Sequence, residues 1–256
     1  MHNHPNLMIQ SLTACAVNVP LQRPLQTSGG LVSTAPLVLI DLNTEEGITG
    51  RSYVFCYTPI ALAPTTQLIN NLAVLINGEA LAPFTIERKL QQRFRLLGPQ
   101  GLTGIAMAGI DMAAWDALAK ACGLPLVQML GGEVRSVPAY NSCGLGIIGP
   151  ERAADEASEL IEPGFKAIKV RLGYPKFKTD LAVVRTVRKA IGDEIELMAD
   201  YNQSLSVPEA TKRIRALDDE GLSWIEEPTS ADDFDGHAQI SREAETPIQL
   251  GENWWG

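Results

Sequence analysis

The protein has 256 residues, a 45% hydrophobic fraction and a formal net charge of −9, a size that suits one large barrel or two smaller domains. No apolar run reaches the roughly 18 residues that span a bilayer, and the start MHNHPNLMIQ lacks the basic and apolar regions of a secretory signal. The acidic balance, without a basic cluster, disfavours nucleic-acid binding, and four cysteines without CxxC spacing predict reduced thiols in a cytoplasmic protein.

The first region, residues 1–133, is predicted to form a meander of antiparallel strands followed by helices. Alternating or β-branched stretches predict strands at Ile9–Val17, Leu37–Leu42 and Ser52–Phe55, the last of them after the Gly47–Gly50 turn. The stretch Leu102–Ala121 spaces its large apolar residues as a buried helix does. The other predicted helices are Ile60–Ile76, Ile86–Leu97 and the short Leu124–Leu130.

The pattern changes after Val134, and the second region, residues 134–256, alternates short apolar runs with amphipathic stretches. A strand about every 25 to 30 residues, with a helix between, predicts parallel strands in an α/β fold. A doubly wound sheet also fits, although no glycine-rich phosphate loop follows the first strand. The predicted strands are Val137–Tyr140, Ala167–Val170, Glu196–Ala199, Trp224–Ile225 and Ile248–Leu250. The predicted helices are Glu151–Ile161, Lys178–Ile191, Pro208–Glu220 and Ala238–Glu245.

The five predicted strands are too few for a closed barrel. A (β/α)8 barrel takes about 250 residues by itself, and only residues 134–256 follow the first region. An open five-strand segment would leave a free edge and an unfilled inner face. We therefore expect a fragment or a truncated gene product.

Acidic side chains follow three successive predicted strands. Asp200, Glu226 and Glu252 lie 26 residues apart in each step (226 − 200 and 252 − 226). A single carboxylate at a strand end is often a helix N-cap or a solvated turn residue. Three in succession would meet at one spot, because barrel active sites gather at the C-terminal ends of the strands. A hard divalent cation neutralises such a set best, so the pattern predicts a magnesium site with positions open for substrate.

Lys169 and Arg171 supply the complementary positive charge on the second predicted strand of this region. Because residues i and i+2 of a strand face the same way, both cations would point into the barrel mouth beside the metal. The alternative is a pair of surface charges on an edge strand. The parallel pattern buries this strand and favours the inward placement.

The second region resembles the enolase superfamily, and in particular the mandelate racemase and muconate lactonizing enzyme family, through KVRLGYP, ADYNQSL, WIEEPT and GENW. The first region is similar to the family's capping domain through TAPLVLIDL, SYVFCYTP and GIDMAAWDAL. The resemblance covers nearly the whole chain. It implies an α+β capping domain over a partial TIM-like (β/α)8-type barrel, modified to (β/α)7β. It also implies Mg²⁺ as the cofactor and abstraction of the proton α to a carboxylate, giving a metal-stabilised enediolate.

The resemblance assigns the charged residues of the predicted site. Asp200, Glu226 and Glu252 match the metal ligands of the family. Lys169 matches the first lysine of the family's lysine-x-lysine motif, which contacts the substrate carboxylate and the base. The resemblance therefore agrees with the magnesium site that the spacing of the three carboxylates predicts.

Three uncharged residues are assigned to substrate binding by the resemblance alone. Asn202 matches a residue beside the metal that helps to place the substrate, and Ser142 matches a serine that reaches the substrate carboxylate. Tyr57, together with the Thr27–Val32 loop, matches parts of the capping domain that cover the substrate. Without the resemblance, Tyr57 would be an ordinary loop aromatic.

The sequence departs from the family pattern at two points. Arg171 stands where the second lysine, the base for one enantiomer, is expected. Arginine stays protonated and is a poor proton acceptor, so two-base racemisation is disfavoured; some relatives that dehydrate sugar acids vary at this position. The family's other base is a histidine on a later strand, and His2, His4 and His237 of this chain lie in the N-terminal tail or away from a strand end.

Three functions follow from these observations. The leading hypothesis is a racemase that acts on a small 2-hydroxy acid of the mandelate type. The alternative within the superfamily is a sugar-acid dehydratase. Against it, an apolar set at Leu31, Val32, Val54 and Phe55 slightly favours an aryl substrate. A non-catalytic fragment that binds metal or itself is the alternative from another class. We expect a homo-oligomer, and we expect no turnover from the chain as given.

Overall fold

The computed structural model describes residues 6–254, which form two compact units. The first unit comprises residues 6–20 and Thr34–Ser136, and the second comprises Leu21–Ser33 and Val137–Trp254. The end of the first hairpin, Leu21–Ser33, therefore belongs to the second unit, whereas the sequence-based boundary at residues 133 and 134 left it in the first region.

The first unit contains a three-stranded sheet and four helices. Its strands lie in the order β1-β2-β3, and β2 and β3 are antiparallel with Leu37 opposite Phe55. The predicted strand meander is confirmed, with strands longer than the sequence indicated. The strands are β1 (Ile9–Thr27), β2 (Gly30–Thr44) and β3 (Thr49–Phe55). The helices are α1 (Pro59–Ile76), α2 (Pro83–Arg93), α3 (Leu102–Ala121) and α4 (Leu126–Met129).

Small residues let α3 lie close to this sheet. A side chain at Gly109 would place its Cβ 2.5 Å from Ile40 Cδ1 and 2.9 Å from Val54 Cγ1, so these two side chains would have to shift to admit it. By length and composition alone, α1 and α3 could each cross a membrane, which corrects the prediction that no segment is long and apolar enough. Both helices instead contribute to the core of the first unit, with Ile69 of α1 and Ile110 of α3 fully buried.

The second unit alternates strands and helices around a parallel sheet. Its strands lie in the order β4-β5-β6-β7, and each pairs in parallel with the next, as the sequence predicted. The strands are β4 (Ala167–Arg171), β5 (Glu196–Asp200), β6 (Ile225–Glu226) and β7 (Ile248–Gln249). The helices are α5 (Pro150–Ile161), α6 (Phe177–Ile191), α7 (Val207–Arg215) and α8 (Phe234–Glu243), with a 3₁₀ turn at Asp218–Glu220.

The prediction of a strand at Val137–Tyr140 is wrong. This segment has no regular structure, and only Asn141 forms an isolated parallel bridge, to Ile168. Val137 is 72% exposed, so the apolar run that suggested a buried strand does not enter the core. The described part of the second unit therefore has four strands and one bridge where the sequence predicted five strands.

Candidate metal and substrate site

A buried lysine lies between two buried carboxylates at the C-terminal ends of β4, β5 and β6. The Nζ atom of Lys169 is 2.7 Å from Glu226 Oε2 and 3.1 Å from Asp200 Oδ2. We call Lys169, Asp200 and Glu226 the lysine cluster. The strand register produces it, because Arg171 pairs with Asp200 and Asp200 pairs with Glu226, so the acidic strand ends lie side by side.

The electrostatics of the lysine cluster favour a charged ammonium. Burial alone would lower the pKa of Lys169, but the charge of Asp200 and the hydrogen bond to Glu226 raise it above its usual value. The Nζ atom also lies 5.6 Å from the centre of the Tyr140 ring, within the range of a cation–π contact. Lys169 is therefore a cation that two carboxylates hold in place, and it does not act as a free base in this arrangement.

The third predicted ligand, Glu252, lies within electrostatic range of this cluster. Partial burial raises the pKa of Glu252, and the negative charges of Asp200 and Glu226 raise it further. Between residues 6 and 254, however, no three acidic, histidine or cysteine side chains are arranged closely enough to hold a metal ion. We had expected the three carboxylates to approach to metal-binding distance; instead, the Lys169 ammonium lies between two of them.

The donor set nevertheless suits a hard divalent cation. Asp200, Glu226 and Glu252 offer carboxylate oxygens from three neighbouring strand ends, and magnesium prefers oxygen ligands while retaining several waters. Burial is the main cause of the raised pKa of Glu252, and the negative charges of Asp200 and Glu226 raise it further. A cation bound there would offset these charges, so the assignment of these residues as metal ligands remains a prediction that the charge distribution supports.

Arg171 is buried beside the lysine cluster, but its partners are oxygens without formal charge. Its Nη1 donates to the carbonyl oxygens of Gly144 at 2.7 Å and Ser142 at 3.1 Å, and its Nη2 donates to Ser142 Oγ at 2.9 Å. Its Nε is buried and makes no hydrogen bond within the described chain. The guanidinium is therefore fixed in position by neutral acceptors, and its hydrogen bonds bring predicted residue Ser142 to it.

Asn202 follows Asp200 in a strained turn. Its main-chain N–H donates to Asp200 Oδ1 at 2.8 Å, and its φ of 45° lies in the left-handed region. Its side-chain Oδ1 is buried and has no hydrogen-bond partner in residues 6–254. A buried acceptor without a donor is costly, so this oxygen is a candidate contact for a ligand beside Asp200.

Two further residues at the same strand ends were missed or misplaced by the sequence reasoning. The alternation of side chains along a strand predicts that Glu227, next to Glu226, points away from the site. In the structure its carboxylate accepts from the Asn253 main-chain N–H at 3.2 Å and from Gln203 Nε2 at 3.1 Å. Gln203 was not predicted at all, although it directly follows Asn202 in the recognised NQS stretch. Glu227 therefore anchors the residue next to Glu252, and both Glu227 and Gln203 have positive φ angles.

The end of the β1–β2 hairpin lies against the second unit, of which it is part. Ser28 Oγ donates to the carbonyl of Tyr201 at 3.1 Å, and the N–H of Ile147 donates to the carbonyl of Gln26 at 2.7 Å. A side chain at Gly146 would place its Cβ 2.6 Å from that Gln26 oxygen. This close packing holds the predicted Thr27–Val32 loop at the residue after Asp200.

The remaining predicted residues are Tyr57 and the histidines. Tyr57 belongs to the first unit, has a φ of 59° and packs its ring 4.7 Å from that of Phe55; its contact with substrate remains a prediction. His237 is buried in α8, and its Nδ1 lies 3.0 Å from the carbonyl of Asp233. His2 and His4 lie outside the described residues.

Family profiles match both regions of the chain. The N-terminal domain profile of the mandelate racemase and muconate lactonizing enzyme family matches residues 9–131, and the enolase C-terminal-domain-like profile matches residues 152–256. These two matches agree with the predicted order of a capping domain followed by a partial barrel.

Relatives and solved structures agree with these matches. The 3,6-anhydro-α-L-galactonate cycloisomerase of Streptomyces coelicolor is 31% identical over 96% of this chain and 69% of its own length. The L-talarate/galactarate dehydratase of Salmonella typhimurium is 38% identical over 61% of this chain and 39% of its own length. An enolase from Bradyrhizobium, crystallised with magnesium and mandelic acid, superposes with a TM-score of 0.92 at 43% identity, covering 98% of this chain and 69% of that one. The chain belongs to the mandelate racemase and muconate lactonizing enzyme family of the enolase superfamily, whose members are enzymes.

Proposed function

We propose that the protein carries out magnesium-dependent abstraction of the proton α to a carboxylate, on a small 2-hydroxy acid of the mandelate type. The observation that carries the proposal is the lysine cluster, in which Asp200 and Glu226 hold a buried cation within electrostatic range of Glu252. The similar Bradyrhizobium enolase binds magnesium and mandelic acid. Because the chain spans 69% of that enzyme, the activity of the whole enzyme is part of the proposal.

The residues of this chain take separate tasks in the proposed reaction. Asp200, Glu226 and Glu252 would hold Mg²⁺, which supplies positive charge to the substrate carboxylate and makes the neighbouring proton more acidic. Lys169 would leave its bridge between the two carboxylates and bind the substrate carboxylate as an ammonium. Asn202 would offer its buried Oδ1 to a substrate hydroxyl, since that oxygen has no other donor in the described chain.

Arg171 separates the two candidate reactions. Its guanidinium is fixed by Ser142 and Gly144 and stays protonated, so it can bind an anionic oxygen but cannot accept a proton. Racemisation by two bases needs an acceptor on each face of the α-carbon, whereas dehydration needs one acceptor and a leaving hydroxyl. The fixed guanidinium therefore counts only against Arg171 as one of two racemising bases, and it keeps the sugar-acid dehydratase as the second candidate, in line with the similarity to the talarate/galactarate dehydratase.

The proposal is tested by magnesium binding and by proton exchange. We expect calorimetric titration to show Mg²⁺ binding that Asp200→Asn abolishes and that Asp218→Asn, at the 3₁₀ turn after α7, leaves unchanged. A chimera that continues this chain with the remaining C-terminal part of the Bradyrhizobium enolase provides a complete barrel and its base. Incubation of this chimera with mandelate in D₂O should replace the α-proton by deuterium.

The outcomes separate the three hypotheses. Exchange or racemisation of mandelate supports the racemase, and formation of a 2-keto acid from a sugar diacid supports the dehydratase. Magnesium binding without any exchange, in the chain and in the chimera, identifies a non-catalytic metal-binding protein. Absence of both would contradict the proposal.

We also propose a cytoplasmic homo-oligomer. The four cysteines make no disulfide, in agreement with a reducing compartment. Sedimentation of the purified chain, which we expect to give a multiple of the 27.7 kDa subunit mass, tests the assembly. A monomer at all concentrations would rule this part of the proposal out.

A further inference from the structure

A second buried ionic cluster lies beside the strand ends that carry the site. Asp180 of α6 is fully buried, and its Oδ2 is 2.7 Å from Arg213 Nη1 of α7 and 3.2 Å from the hydroxyl of Tyr201. We call Asp180, Tyr201 and Arg213 the arginine cluster. Arg213 also donates from Nε to Glu209 at 2.8 Å and from Nη1 to the carbonyl of Tyr174 at 2.9 Å.

Asp180 holds the loop that follows β4 in place by hydrogen bonds. Its Oδ1 accepts the main-chain N–H groups of Gly173 at 3.1 Å and Tyr174 at 2.9 Å. These residues come directly after the strand that carries Lys169 and Arg171. Gly173 has a φ of +107°, and a side chain there would place its Cβ 2.7 Å from Ser204 Oγ, so the loop is tightly confined.

The same carboxylate fastens the residue that follows Asp200. The hydroxyl of Tyr201, which is fully buried, donates to Asp180 Oδ2. Between the two fastened points, the Leu172 N–H donates to the carbonyl of Asp200 at 2.9 Å, and the Tyr201 N–H donates to the carbonyl of Glu226 at 3.0 Å.

We propose that Asp180 is a positioning residue for the metal and substrate site, acting through Gly173 and Tyr201 on the ends of β4 and β5. The inference rests on the proposed function and names a residue outside the metal and substrate contacts. One buried carboxylate fixes two neighbouring strand ends, and hence the separation of Lys169 from Asp200, which is 3.1 Å between Nζ and Oδ2. Partners behind a metal site typically contribute about 10–100-fold to metal affinity or activity.

Four variants distinguish positioning from stability. Asp180→Ala removes every bond of the carboxylate. Asp180→Asn keeps an oxygen for the Gly173 and Tyr174 N–H groups but turns a donor towards Arg213, and Asp180→Asn with Arg213→Met removes that conflict. Val184→Ala is the matched control, because Val184 lies on the same helix and is fully buried but apolar. All are compared with the unaltered protein below their unfolding temperatures.

We expect Asp180→Ala to weaken Mg²⁺ binding by the chain, and to lower kcat for α-proton exchange from mandelate in the chimera, each by about 10–100-fold. Val184→Ala, although also destabilised, should stay within about twofold on both measures, since its site geometry is intact. The double variant, Asp180→Asn with Arg213→Met, should regain most of the Mg²⁺ affinity and kcat that Asp180→Asn loses. If Asp180→Ala does not fold, Asp180→Asn and the double variant carry the test.

The possible failures can be told apart. If the unaltered protein binds Mg²⁺ or exchanges the proton and Asp180→Ala matches Val184→Ala, the positioning role is wrong and the proposed function stands. If the unaltered protein does neither, the proposed function fails, and crystal structures of the variants decide the inference. A distance from Lys169 Nζ to Asp200 Oδ2 unchanged from 3.1 Å in Asp180→Ala would then overturn it.

Discussion

The lysine cluster and the arginine cluster are built from similar parts but differ in how completely their charges are matched. In the arginine cluster the buried carboxylate of Asp180 meets the guanidinium of Arg213, which also pairs with the partly exposed Glu209. Both Asp180 oxygens accept hydrogen bonds, from Gly173, Tyr174, Tyr201 and Arg213. In the lysine cluster one ammonium faces two buried carboxylates. The buried charges of the first cluster therefore match one to one, and the second cluster carries excess buried negative charge.

This difference teaches which buried charges serve stability and which are available for binding. A buried ion pair is tolerated when its remaining hydrogen-bonding capacity is filled, as it is around Asp180. The negative charge beside Glu252, whose pKa is raised, is only partly neutralised by Lys169, so this site can bind a further cation. The adjacent residues Asp200 and Tyr201 thus belong to clusters with different tasks.

The largest expected effect comes from removing the cation of the lysine cluster. Lys169→Met leaves Asp200 and Glu226 buried side by side without a partner, and such a loss costs about 3–5 kcal/mol of unfolding free energy. Urea unfolding without metal measures it, with the exposed Lys178→Met as the control. Mg²⁺ at about 100 times its Kd should return about 2.7 kcal/mol. Equal stability of the two variants without metal would remove the distinction between the clusters.

The next effect concerns Arg171, the cation beside the lysine cluster. Arg171→Lys in the chimera introduces a group that can lose its proton, and we expect deuterium exchange from one face of mandelate to rise by up to about 100-fold. The exposed Arg185→Lys, whose parent residue pairs with Glu220, is the control. No gain in exchange would show that this position does not face the α-carbon.

A smaller effect distinguishes a charged from a neutral acceptor around the arginine cluster. Tyr201→Phe removes a hydrogen bond to the Asp180 carboxylate and should cost about 1.5–3 kcal/mol of unfolding free energy. Tyr174→Phe removes a hydroxyl that accepts main-chain hydrogen bonds, among them that of the Gly149 N–H at 2.8 Å, and should cost about 0.5–1.5 kcal/mol. Thermal unfolding of both variants measures the difference, and the reverse order would contradict the charge assignment of Asp180.

The smallest effect is a pH dependence at Glu252. Its pKa is raised above 4.5 in the folded chain, so its contribution to stability is complete below 4.5 and is lost as the pH rises through the raised value. Glu252→Gln removes this loss, and without metal it should be slightly more stable than the unaltered protein at neutral pH. With Mg²⁺ present, the unaltered protein should be the more stable of the two. Denaturant midpoints of both proteins at pH 4 and pH 7, with and without Mg²⁺, test these two differences. An equal change in midpoint with pH for both proteins would show that the cluster does not affect the ionisation of Glu252.

The sequence predicted most of the fold because its periodicities are strong. The helix Leu102–Ala121 and the parallel order of four strands follow from apolar spacing and from the strand–helix alternation. The failure at Val137–Tyr140 has a physical reason, since β-branched and aromatic residues favour strands but only packing and pairing decide the outcome. Here Val137 remains exposed, and a single bridge at Asn141 is all that forms.

For the candidate site, the sequence indicated which residues gather but not how they pair. The regular spacing of Asp200 and Glu226 after two strands predicted their proximity, and the strand register places them side by side. The bridging position of Lys169 depends on side-chain rotamers and buried charge, which spacing does not encode. Asp180 escaped notice because it lies within the first turn of α6, where an aspartate usually signals only a helix start.

The membership of Leu21–Ser33 in the second unit has a consequence for how the protein is made. The hairpin end leaves the ribosome early, but its partner for the Ser28 hydroxyl, the Tyr201 carbonyl, is 173 residues further along the chain. At roughly 5–20 residues per second, the growing chain holds this hairpin end without that contact for about 10–30 seconds. The core formed by β3, α1 and α3 can therefore fold first during synthesis, before the later strands that contact the tips of β1 and β2 have been made. Contacts between residues so far apart in sequence form slowly, and the unpaired hairpin end is therefore available for chaperone binding during synthesis.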